Sequence, residues 1–530
     1  MRERTRLGRI TSGSFVKGLT ARLEARTSVE DMRVGKFVVV QGDKLDFFSM
    51  VTDVTLATTT NALLSDPPDG DAFVHAVLAG TATYGTVELA PRLMLPRNVT
   101  ENLQPVKTIP PHFAPMYDAD EDDFTRVFGA TGGTHFEIGR PLDMDVPVCL
   151  DLHRFVERSN GIFGKSGTGK SFLTRLLLCG TIASDVCSAL IFDMHSEYGW
   201  DSRAEGGHFI KGLRQLFGDQ VLVATLDAKP KHSVDGTIII GLNQIEVDDL
   251  LPLQDELNLN STAAESAYIL WDRFNDQWLN RLLGMDGEAL REFAEQSGAN
   301  VNSLSALKRK LSAVARLPFV QAQADFSVVD RLIEALVNRR HVVIEFGQHD
   351  NMLNYMLVAN IITRRIYSRW TEQTETYRHT KNPADQPRPL MITVEEAHRF
   401  LTPAIARQTI FGKIAREMRK YSVTLLVVDQ RPSSIDAEVM SQLGTRITAQ
   451  LNDDRDIDAV FAGVSGSGGL KTVLASLDSK QQALVLGHAV PMPVVVRTRA
   501  YDEAFYRAVG SSMPRVSREQ AQAEVDELFS

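Results

Sequence analysis

The stretch Gly164-Lys165-Ser166-Gly167-Thr168-Gly169-Lys170-Ser171 has the spacing G-x-x-x-x-G-K-[ST], which suits a glycine-rich turn whose backbone N–H groups close around phosphate oxygens. An apolar run, Gly161-Ile162-Phe163, precedes it, and a helix-forming run, Phe172-Leu173-Thr174-Arg175-Leu176-Leu177-Leu178, follows. The spacing therefore predicts strand, loop and helix, with the helix N-terminus aimed at an anion. In such a loop Lys170 neutralises the β- and γ-phosphates of ATP and the Ser171 hydroxyl binds Mg²⁺. Gly164 to Ser171, with Phe172 as the next residue, form the candidate nucleotide-binding set.

Hydrolysis needs acids as well. The apolar run Leu390-Met391-Ile392-Thr393-Val394 ends in Glu395-Glu396-Ala397-His398, placing two carboxylates at a strand's carboxyl end, where open α/β sheets bind ligands. Glu395 suits the magnesium shell and Glu396 suits polarising the attacking water. Phe192-Asp193-Met194-His195-Ser196-Glu197-Tyr198 follows another apolar run and offers Asp193 and Glu197 near the metal or water. A third run ends in Asp429-Gln430-Arg431-Pro432, where Gln430 is placed to sense the γ-phosphate. Between these segments the predicted helix Ile410–Tyr421 carries Arg416, Arg419 and Lys420. Its bland reading is a solvated basic face, and its sharper reading is an arginine that stabilises charge on the γ-phosphate, often from a neighbouring subunit.

These segments need a scaffold that brings strand ends together. From residue 135 to about 500 strand-like and helix-like runs alternate, which predicts an α/β fold, a mostly parallel sheet covered by helices. Expected strands are Gly161–Phe163, Ala189–Phe192, Val221–Ala224, His341–Phe346, Leu390–Val394, Thr424–Val428 and Gln482–Leu486. Residues 247–338 read as helical, an insertion into that domain. Residues 1–100 hold short strands at Gly8–Ile10, Gly35–Val40, Phe47–Val54, Phe73–Leu78 and Tyr84–Leu89, which predict a small β-barrel. Residues 101–134, rich in Pro and acidic side chains, read as a linker, and 501–530 as a C-terminal tail.

The bulk numbers narrow the class. At 530 residues the chain exceeds what one core usually supports, so two or three units are expected. No apolar run approaches a bilayer-spanning length, and the charged start Met1-Arg2-Glu3-Arg4 lacks a signal-peptide pattern, so a cytoplasmic protein without a membrane partner is expected. The cysteines Cys149, Cys179 and Cys187 have neither disulfide nor zinc spacing. A net charge of −10 argues against nucleic-acid binding by the whole surface, so a polyanion needs a locally basic groove; Arg339, Arg340, Arg364 and Arg365 are candidates.

Taken in order, the motifs at 164–171, 193–198 and 395–398, and Ile414-Ala415-Arg416-Glu417-Met418-Arg419-Lys420-Tyr421 leading to Gln430-Arg431-Pro432, resemble the HerA family of hexameric DNA translocases, within the larger group that includes FtsK. The first hundred residues look like that family's HAS barrel. The resemblance implies a RecA-like ATPase domain, a homo-hexameric ring with double-stranded DNA through its central pore, and a separately encoded effector, a NurA-type nuclease or another defence effector. Carried onto this sequence, it assigns Lys170 and Ser171 to phosphate and Mg²⁺, Glu395 and Glu396 to metal and water, and Gln430 to the γ-phosphate. It makes Arg419 the preferred finger acting in trans, with Arg416 second. Met418 departs from the family, which usually has Gly there. A ring that scaffolds a protein effector, with DNA secondary, is the alternative.

Overall fold

A computed structural model of the chain describes residues 4–60, 62–65, 77–79, 81–98, 101–203, 209–259, 261–324, 328–406, 409–464, 468–478 and 480–510. It forms two compact units, one of residues 1–151 with 446–499 and one of 152–445 with the chain from 500 onward.

The first unit begins with six antiparallel strands, β1 (Arg6–Ser14), β2 (Gly18–Leu23), β3 (Phe37–Gln41), β4 (Leu45–Thr58), β5 (Thr83–Pro96) and β6 (Pro115–Asp118). Their order is β2-β1-β6-β3-β4-β5, and β2 also pairs with β5, Leu19 opposite Leu89 and Arg22 opposite Thr86, so the sheet closes on itself. Alternation along the strands fills the barrel: Leu19, Ala21 and Leu23 of β2 point inward to meet Ile10, Val38, Val40, Val51, Val87 and Met116. The linker expected at 101–134 is structured instead. Pro115–Asp118 completes the barrel between β1 and β3, and Glu121–Phe128 is a helix, α1. The acidic run that suggested a solvated linker is an N-terminal cap: the Asp120 side chain accepts the Asp123 N–H while the Asp123 carboxylate accepts the Asp120 N–H. Behind that cap, Phe124 and Phe128 pack edge-on against Phe37.

The strand expected at Gln482–Leu486 is present as Gln482–Gly487, within this same unit. It pairs antiparallel with Val494–Thr498, which pairs with His135–Arg140 and through it with Val148–Asp151. A short turn after Gly487 makes this a hairpin, whereas a parallel connection needs a long crossover. The strand expected at Phe73–Leu78 falls mostly outside the described residues, and so does the tail beyond residue 510.

The main parallel strands of the second unit are β7 (Asn160–Phe163), β8 (Ser188–Asp193), β9 (Val221–Thr225), β10 (His341–Glu345), β11 (Leu390–Val394) and β12 (Val423–Asp429). They lie in the order β9-β10-β8-β11-β12-β7. Every residue of these strands is buried, which is why they read as continuous apolar runs. Helix α2 (Lys170–Ala183) follows β7. Between β9 and β10 the chain builds a helical cluster, α3 (Ser261–Phe274), α4 (Trp278–Gly284), α5 (Gly287–Ser297) and α6 (Val301–Val314), around Leu270, Trp278, Leu282, Leu304 and Leu311. Trp278 is fully buried, and its indole N–H finds the Ile245 carbonyl at 2.9 Å. The long helix α7 (Met352–Thr380) leads into β11. Among the described residues no helix is long and apolar enough to cross a membrane.

Candidate functional site

Because the strands are parallel, their carboxyl ends lie on one edge. Phe163 is opposite Asp429, Val427 opposite Val394, and Val394 opposite Phe192, so the loops after β7, β12, β11 and β8 emerge side by side. The strand β12, which carries Asp429, lies between the glycine-rich turn and the Glu395–Glu396 pair.

The turn needs its glycines. Gly167 and Gly169 have φ of 77° and 92°, a region that side-chain-bearing residues rarely adopt, and Gly169 immediately precedes the first turn of α2. Thr168 Oγ1 donates to the Lys165 carbonyl at 2.8 Å, and Lys170 Nζ donates to the same carbonyl at 3.0 Å. Burial lowers the Lys170 pKa, and the carboxylates of Glu396, Asp429, Glu395 and Glu197 oppose it. That opposition shows which acids share its surroundings.

Glu395 is buried, and its two oxygens differ. Oε1 accepts the Tyr198 O–H at 2.6 Å, whereas Oε2 is shielded from solvent and has no hydrogen-bond partner. Burial pushes this carboxyl up to about 8, with Asp193 adding repulsion. Glu396 is half-exposed and holds left-handed backbone angles, φ 47° and ψ 43°, a conformation that costs a non-glycine residue about 1–3 kcal/mol. Gln430 Nε2 reaches Glu396 Oε1 at 3.3 Å. Buried Asp429 ties the two loops together: Oδ2 accepts the His398 N–H at 2.7 Å and faces His398 Nδ1 at 2.9 Å, while Oδ1 accepts the Arg431 N–H at 2.7 Å. The hydrogen bond to Asp429 raises the His398 pKa.

The structure thus brings together Lys170, Glu395, Glu396, Gln430 and the glycine-rich turn. It revises other expectations. Asp193 does not face outward as a nucleotide or metal ligand, because its carboxylate accepts the N–H groups of Glu197 and Tyr198 at 2.8 Å each and of Gly199 at 3.4 Å. It organises the loop instead, and Glu197 lies on that loop. Arg416, on helix α8 (Ile410–Glu417), turns back toward its own chain, with Nη2 at 3.5 Å from the Ala406 carbonyl. Arg419 is exposed on the next turn, and Met418 beside it is buried as a core residue. The four candidate pore cations are engaged within the chain. Arg339 pairs with Asp185, Arg365 with Asp330, Arg364 with Asp249 and Glu246, and Arg340 donates to the Asp219 carbonyl. Tyr198, His398 and Asp429 are additions that sequence reasoning missed. Asp429 ended a visible apolar strand, but its pairing with His398 depends on two strands meeting.

Fold and site together define a P-loop ATPase that carries a separate β-barrel. In comparison with known proteins, residues 136–366 match the domain described as helicase HerA, central domain, and residues 7–103 match the HAS barrel domain. The chain is 24% identical over 531 residues to the DNA double-strand break repair helicase HerA of Sulfolobus acidocaldarius, covering 98% of each chain. It is 24% identical over 494 residues to the protein of that name from Saccharolobus solfataricus, covering 92% of each. Among solved structures VirB4 of Thermoanaerobacter pseudethanolicus overlaps 70% of this chain and 98% of its own, at 15% identity and a TM-score of 0.45. The chain thus carries a HerA helicase central domain and a HAS barrel domain, and it is similar over nearly its whole length to proteins named HerA.

Proposed function

We propose that this ATPase is a double-stranded DNA translocase or helicase that works as a homo-hexameric ring and moves DNA for a separately encoded effector, a NurA-type nuclease or another defence effector. The observation that carries the reading is the contact between Gln430 and Glu396, which joins a group suited to sensing phosphate to a group suited to polarising water. Loss of the γ-phosphate then changes the surroundings of a loop on β12, and a strand-borne loop can pass that change on as motion. The relatives' shared description as DNA repair helicases supports DNA as the polymer moved.

In this mechanism Lys170 leaves the Lys165 carbonyl to meet the β- and γ-phosphates. Glu396 orients and polarises the attacking water, and Gln430 holds Glu396 in place. The residues fit a magnesium ion: the Ser171 hydroxyl stands at the helix start, and Glu395 Oε2 is a buried acceptor with no partner. Ser171 and Glu395 would hold the ion there, and it would supply neutralisation of the charge that develops on the phosphates. The exposure of Arg419 supports its use by a neighbouring subunit.

The test is ATP turnover by the purified chain with and without duplex DNA across a salt series, with particle images of the same samples. Stimulation by duplex DNA that fades steeply with salt, in ring-shaped particles, is the expected result. DNA-independent turnover in rings would favour the alternative, a ring that scaffolds a protein effector, which the net charge of −10 keeps in play.

A further inference from the structure

The loop that follows β8 does more than leave the sheet. Ser196 turns the chain back with φ 54°, and Asp193 clamps the next three N–H groups. Arg175, buried on α2, donates to the Glu197 carbonyl and to Ser202 Oγ at 3.1 Å. Gly199 admits Glu345, whose Oε1 would lie 2.4 Å from any Cβ placed there. All of these contacts converge on Tyr198, which is fully buried. Its hydroxyl donates to Glu395 Oε1 at 2.6 Å, a short hydrogen bond. Tyr355 O–H fixes the same residue's main-chain carbonyl at 3.2 Å.

We propose that Tyr198 is a positioning residue for Glu395: its phenol anchors one carboxylate oxygen, so that the unpartnered one is presented to the metal and phosphates. The inference rests on the reading that Glu395 serves the ATP site. The ring alone could be core packing, but packing requires no hydroxyl. A carboxylate held at one oxygen has lost the freedom to rotate, and its other oxygen keeps one direction. The loop of β8, helix α2 and the acid of β11 then act as one piece.

Tyr198→Phe keeps the ring and removes only the O–H. Binding of a fluorescent ADP without magnesium should be unchanged. The Mg²⁺ concentration that half-maximally tightens that binding should rise about tenfold, and kcat should fall about tenfold, the size of one lost hydrogen bond to a charged group. Glu395→Gln should show its own defect in both readouts, and Tyr198→Phe added to it should change neither further, because it acts through Glu395 alone. Circular dichroism and melting curves check that each variant is folded. Wild-type magnesium dependence in Tyr198→Phe overturns the proposal, as do effects that add in full to those of Glu395→Gln. A Glu395→Gln protein with wild-type turnover and magnesium dependence overturns the reading of Glu395 itself, a distinguishable failure.

Discussion

At the scale of single residues, the site sets charged groups in places that suppress their charge. Lys170→Ala should abolish ATP turnover with the fold intact, since it removes the ammonium assigned to the β- and γ-phosphates. Glu396→Gln should still bind ATP while turnover falls by about a hundredfold or more, the usual cost of a lost general base; near-normal turnover in either variant would remove the assignment. A separate prediction concerns Glu345, which ends β10. Burial pushes its carboxyl up to about 7, with Asp193 and Asp227 adding repulsion and His349 pairing with Asp227 at 3.5 Å. The folded value lies above the unfolded one, so Glu345 supports the fold below the unfolded carboxyl range and loses that support as pH rises through about 7. The wild-type melting temperature should therefore drop between pH 5 and pH 8 more than that of Glu345→Gln. Equal drops would show that Glu345 ionises at its ordinary value. The sequence revealed Lys170, Glu395, Glu396 and Gln430 because each stands at a fixed offset from an apolar run. It could not reveal that Asp193 turns inward, since an aspartate ending a strand looks the same whether it meets metal or backbone.

At the scale of elements, periodicity located the strands of the parallel sheet because full burial erases polar alternation. It located Gln482–Gly487 as well but could not show that this strand is hairpin-paired to Val494–Thr498, since direction is set by the connection and not by composition. It also misread residues 115–128, where a four-residue strand and a capped helix have the composition of a linker. The arginine candidates were undecidable in sequence, for a solvated cation and a bonded one share a spelling. On helix α8 and the turn after it, Arg416 reaches the Ala406 carbonyl of its own chain and Arg419 is exposed. If Arg419 serves a neighbour, Arg419→Ala should keep ATP affinity and lose hydrolysis, and mixing it with Lys170→Ala should restore part of the activity. Only mixed assemblies pair an intact turn with an intact arginine, so absence of rescue in subunits shown to exchange would count against action in trans.

At the scale of the molecule, none of the residues assigned above to the ATP site lies in the barrel, so under the proposed function the barrel is the candidate dock for an effector. Its closure through β2 and β5 leaves those strands no free edge, so loops are the better contact points. At the β1–β2 turn Phe15 and Val16 are 61% and 91% exposed, large apolar side chains without evident internal use. Phe15→Asp with Val16→Asp should abolish retrieval of a stoichiometric partner from the native host while ATP turnover is kept; unchanged retrieval would place the dock elsewhere. Deleting residues 1–100 is a poorer test, because it strands β6 and α1. The site itself has a consequence for synthesis. Its parts come from the turn at 164–171, the loop at 193–199 and the strand ends at 395 and 429, so a growing chain cannot close it until most of its length has left the ribosome. A half-made chain therefore cannot burn ATP, and premature termination anywhere before β12 yields a silent product rather than an unregulated one.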